Sequence, residues 1–108
     1  MFAYSTAIRR DFTIQFNDVY TATGTVWWND DRRALIFEPN DNPEEYETLT
    51  INLEGYGCVT KPGEVAIKDY SEHQGLTDKL VASGLVNFEY DVFFGPFNSR
   101  FCIVSVNP

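Results

Sequence analysis

Basic residues are scarce in this chain of 108 residues: eight Lys and Arg stand against sixteen Asp and Glu, for a formal charge of −8. Affinity for nucleic acid rests on clustered Lys and Arg that neutralise phosphates, so direct nucleic-acid binding is not expected. Histidine occurs once, as His73, and cysteine twice, as Cys58 and Cys102 far apart in sequence. One imidazole and two isolated thiols do not make a tetrahedral zinc set, and the acids around Asp41 to Glu47 lack the spacing of a calcium loop. No metal or other cofactor is expected. No apolar run approaches the roughly 18 residues of a membrane span. The start, Met1 to Arg10, lacks the basic-then-apolar order of a signal peptide. A cytoplasmic chain with both thiols reduced is therefore the expectation. A glycine-rich phosphate loop is also missing, because Gly55-Tyr56-Gly57 is not followed by a helix start.

What the chain does have is 44 % hydrophobic and 16 % aromatic residues, which is enough apolar surface to fold. Its length fits a single domain over 1–108. Phe12, Ile14 and Phe16 alternate with polar residues, as in a half-buried strand. Asn17-Asp18 reads as a turn, and Val19 to Trp28 as a second strand, in which Gly24 marks a bulge or a close contact. A third strand runs over Arg32 to Glu38. The Pro39-Asn40-Asp41-Asn42-Pro43 loop separates it from a fourth over Tyr46 to Leu53, with Leu49, Ile51 and Leu53 on one face. Glu64 to Lys68 is a short fifth strand. Val86 to Phe94 and Arg100 to Val106 form a closing hairpin around Gly95-Pro96-Phe97-Asn98.

Only one segment reads as a helix. Ser71 and Gln74 fit the capping-box spacing, and Glu72 suits the positive end of the helix dipole. Leu76 and Leu80 share a face, Gly84 supplies a left-handed stop, and Leu85 is placed to fold back on Leu80. The expected fold is α+β: mostly antiparallel sheet with a single short helix, about residues 72–83, packed on one face.

The stretch from Glu64 to Val104 resembles small accessory proteins of phages, plasmids and other mobile elements. The residues that carry the likeness are Lys68-Asp69-Tyr70-Ser71-Glu72, Gly75-Leu76, Ala82-Ser83-Gly84-Leu85-Val86 and Cys102. The first sixty residues carry none of it. The resemblance implies a mobile-element protein made in a bacterial cytosol, where proteins of this size and charge include anti-CRISPR and other counter-defence inhibitors. It carries over no catalytic residue.

Candidate chemistry is thin. His73, with Ser71 and Asp69, evokes a hydrolase triad, but Ser71 is better used as a cap and no nucleophile-elbow motif is present. Paired carboxylates are plentiful, yet excess acids on a small domain usually form a solvated face. The best candidate is the acidic run Glu38, Asp41, Glu44, Glu45 and Glu47, which contains no base, with Asp30 and Asp31 in the preceding turn. Such a surface is a plain solvated loop or a phosphate mimic that docks on Arg and Lys of a nucleic-acid-binding host protein. Trp27 and Trp28 are adjacent in a strand and point to opposite faces. One is expected in the core and the other partly exposed as an interface anchor. The leading expectation is a non-enzymatic binding protein that occludes a basic surface of a host defence complex. Alternatives are a self-associating module that uses a sheet edge or aromatic face, and a small enzyme with a carboxylate or His73 centre.

Overall fold

A computed structural model of the protein describes residues 5–16, 20–29, 31–70 and 73–107. The expected turn at Asn17-Asp18, Asp30, and the Ser71 and Glu72 members of the helix cap lie outside the described residues. The fold is α+β and mostly antiparallel sheet. The strands are β1 (Ser5–Phe16), β2 (Tyr20–Asn29), β3 (Ala34–Pro39), β4 (Glu47–Thr48), β5 (Thr50–Ile51), β6 (Glu64–Lys68), β7 (Val86–Phe94) and β8 (Ser99–Val106). The helix α1 (Leu76–Ala82) lies between β6 and β7 in the chain.

Two four-stranded sheets form, ordered β1-β2-β3-β4 and β5-β6-β8-β7. All strand pairs are antiparallel. The segment expected as one fourth strand joins them. Leu49 donates its N–H to Leu35 O in the first sheet and accepts from Lys68 N in the second. At that crossing the side-chain alternation breaks. Leu49 and Thr50 are both buried, and Ile51 faces solvent instead of sharing a face with Leu49 and Leu53.

The main core fills the space between the sheets. Ile14, Val26, Trp28, Leu35 and Phe37 come from the first sheet, and Val65, Ile67, Cys102 and Val104 from the second. Leu76, Leu80 and Leu85 reach it from the helix region, which packs against β1, β6 and β7. A smaller cluster, Leu53, Ala66, Phe101 and Ile103, lies on the outer face of the second sheet, where Tyr70 meets Phe101 edge-on at 5.3 Å between ring centroids.

Helix α1 begins later than the expected residue 72 or so. Gly75 precedes it with φ 88°, a left-handed conformation that glycine adopts without strain. No side chain at the cap position serves the first N–H groups. They are met by Asp69, described below. The end follows the expectation. Gly84 is left-handed (φ 80°), its N–H donates to Val81 O, and the Leu85 N–H donates to Leu80 O at 3.1 Å. These two bonds form a Schellman motif, and the Arg9 guanidinium in β1 adds a 2.8 Å hydrogen bond to Ser83 O at the same helix end.

Candidate functional site

The acidic run does not form one surface. β3 leads out of the first sheet into a one-turn 3₁₀ helix, Pro43–Glu45, with no buried residue. Asp41, Glu44 and Glu45 on this connection are exposed. The flanking acids are tied down. Glu38 projects to the outer face of the first sheet and accepts a hydrogen bond from the Trp27 indole, Nε1 to Oε1 at 3.3 Å. Glu47 pairs in register with Phe37, a core residue, so its side chain turns to the inner face. There Glu47 Oε1 lies 3.6 Å from Nε2 of the buried His73. Asp31 is exposed but sits elsewhere. It lies in the turn at one end of β3, while Asp41 follows the other end, and the five residue steps of β3 between those ends span roughly 17 Å.

The tryptophan anchor is corrected by the structure. Trp27 and Trp28 point to opposite faces of β2 as expected, but each is only 7 % exposed. Trp28 belongs to the main core, and Trp27 packs on the outer face beside Ile36, its register partner, which is equally buried. Neither ring is available as an interface anchor.

A second constellation was legible only in part. Asp69 follows β6 and is 4 % exposed. Its Oδ1 accepts from Gly75 N at 2.9 Å and its Oδ2 from Thr77 N at 3.0 Å, so a distant carboxylate caps α1. Burial alone pushes its pKa up. The Thr77 hydroxyl beside it, these two N–H donors and Arg100 outweigh burial and hold the carboxyl below its usual range. Arg100 in β8 lies 3.8 Å from Asp69 Oδ1 and 3.3 Å from Asp91 Oδ1. The Cys102 thiol donates to the same Asp91 oxygen at 3.2 Å. Burial pushes that thiol up to about 11, so at neutral pH it is protonated and a poor nucleophile. The sequence signal for this cap was weak. An Asp six residues ahead of a glycine and eight ahead of Thr77 matches no short-range capping pattern, and Cys102 and Arg100 come from a distant strand.

The triad reading does not assemble around Asp69, whose oxygens are aimed at the helix N–H groups rather than at His73. Among the described residues no three His, Cys, Asp or Glu side chains are grouped to hold a metal ion. Cys58 and Cys102 are both free thiols, and they belong to clusters on opposite faces of the second sheet.

Two hollows adjoin these features. One, of about 180 Å³, lies under the β2–β3 turn. Arg33 enters it and is spent on backbone carbonyls, Lys61 O at 2.7 Å and Glu64 O at 3.3 Å. Asp31, Glu54 and Glu64 also line it, so it offers no surplus positive charge. The other, an open groove of about 610 Å³, runs past Tyr70, Phe97 and Arg100. Its one cation is already shared by Asp69 and Asp91. Among the described residues neither hollow brings together a nucleophile, a base and an oxyanion site.

No family model, curated protein or solved structure matches this chain.

Proposed function

We propose that the chain is a non-enzymatic binding protein of a phage or other mobile element, acting in a bacterial cytosol. It docks through an acidic surface on the basic, nucleic-acid-binding face of a host defence complex, as anti-CRISPR inhibitors do. The observation that carries the reading is the exposed trio Asp41, Glu44 and Glu45, on a stretch from Ala34 to Thr60 with six acids and no Lys, Arg or His. Carboxylates that are solvated, close together and unopposed by their own cations suit long-range attraction to Arg and Lys. Rim charges of this kind govern association rate and salt dependence more than the final packing. Among the described residues no helix is long and apolar enough to cross a membrane.

The test is capture of CRISPR effector complexes from nuclease-treated bacterial lysate, washed at rising salt. The native chain is expected to retain a protein partner at low salt and release it as salt shortens the Debye length below roughly 10 Å. The triple variant Asp41→Lys, Glu44→Lys, Glu45→Lys is expected to lose at least about tenfold in affinity, on the order of 1.4 kcal/mol. Glu47 and Glu38 are left alone because they contact His73 and Trp27. Retention indifferent to both salt and charge reversal overturns the reading.

A further inference from the structure

β7 ends the second sheet. One edge pairs with β8, and among the described residues the other edge pairs with no strand. An open edge presents backbone N–H and C=O groups as a template for another strand, and proteins usually blunt it. Here it carries large apolar side chains. Phe88, opposite Val104, is 46 % exposed and Phe93, opposite Arg100, is 51 % exposed. A register shift between Phe88 and Tyr90 sends Tyr90 to the other face, opposite Ile103, where it is 42 % exposed. Aromatic surface therefore flanks the edge on both faces of the sheet.

The charges along β7 decide what fits. Asp91 is shared with Arg100 and Cys102. Glu89 accepts from Ser105 Oγ at 3.0 Å, and among the described residues no cation lies within ion-pair distance of it. Consider β7 pairing with its own copy, antiparallel about a twofold axis perpendicular to the sheet. Centring on Glu89 opposes Glu89 with Glu89, and centring on Asp91 opposes Asp91 with Asp91. Those two registers set like charges directly opposite, which destabilises the pair, and in any register each copy adds a net −8.

We propose that β7 is a docking edge for an extended basic segment of a protein partner. That segment adds as a strand, with Lys or Arg facing Glu89 on the face of Ser105 and apolar residues against Phe88 and Phe93 on the opposite face. The inference rests on the basic partner of the proposed function and supplies the backbone contact that salt-screened carboxylates do not. The net charge of −8 on each copy favours a basic occupant over a second copy at neutral pH.

A ten-residue peptide alternating lysine and valine is the probe, with a glutamate–valine peptide as control, read by amide hydrogen exchange along β7. The lysine peptide is expected to slow exchange of β7 amides at least about tenfold, while the glutamate peptide leaves them unchanged. Phe88→Lys, an exposed position, is expected to remove that protection and leave the exchange pattern of the core strands intact. Protection absent from β7, or unaffected by Phe88→Lys, overturns the proposal. So does a salt-resistant dimer of the chain alone with β7 amides protected. If β7 protection fails while the triple acidic variant still loses host capture, only the β7 docking is lost. If β7 protection holds in that triple variant, the docking edge stands independently of the acidic connection.

Discussion

The Asp69 carboxylate accepts hydrogen bonds from Gly75 N and Thr77 N while almost wholly buried, and this sets what its removal costs. Asp69→Asn keeps one acceptor and loses the other, leaving a helix N–H unmet. At neutral pH the variant is expected to lose about 1–3 kcal/mol, the penalty for an unsatisfied buried polar group. The pH dependence follows from the direction of its shift. The folded-state pKa lies below the usual 3.8. Its contribution is therefore present above that value and is lost as pH falls through the folded-state pKa. Urea titrations of both proteins at pH 7 and near pH 2.5 check this: the gap between them is expected to narrow in acid. A gap that stays constant would mean that Asp69 acts through shape alone. Asp69 was visible in the sequence only as a polar residue near the helix. Its partners Arg100 and Cys102 arrive from β8, about thirty residues on, and no local pattern encodes that meeting.

At the scale of elements, most strands and the helix end are readable because their signals are local. The first half of β1, from Ser5 to Arg10, lacks the alternation that marks Phe12 to Phe16 and is not read as strand. β6 and β7 run over Glu64–Lys68 and Val86–Phe94, where alternation and glycine punctuation place them. The helix start was misplaced because its cap is not local. Gly24 suits a bulge or a close contact from the sequence, and it is a close contact beside a bulge that belongs to β1. It stands opposite Phe12 beside a register shift of β1, and a Cβ there would lie 2.8 Å from Pro39 Cα, a backbone neighbour unable to move aside. Gly24→Ala is expected to destabilise by about 1–3 kcal/mol, as overpacking does, and to disturb the β2–β3 pairing first. Amide exchange of β3 in the variant is the measurement. Protection equal to the native chain, with an unchanged urea midpoint, would contradict the close approach. The tryptophan pair shows the limit of strand alternation. It assigns Trp27 and Trp28 to opposite faces, yet it cannot say that both faces are covered at that point.

For the whole molecule, net charge and the open β7 edge act against each other. The charge of −8 sets copies of the chain to repel one another at neutral pH, and Glu89 and Asp91 oppose the β7 pairings centred on them. Near the isoelectric point of about 4.4 that repulsion is gone. Light scattering is expected to find a monomer at pH 7 and salt-resistant association near pH 4.4, which Phe88→Lys suppresses. Association that ignores Phe88→Lys would place the contact elsewhere. The sequence by itself determined the α+β class, most strand limits, the left-handed stop at Gly84 and the shortage of cations, because each depends on residues a few positions apart or on composition. Only the tertiary structure decided which acids are free, that both tryptophans are buried, that Asp69 caps the helix and that β7 ends its sheet. Those facts depend on which distant strands become neighbours, and that is settled when two sheets close over one core.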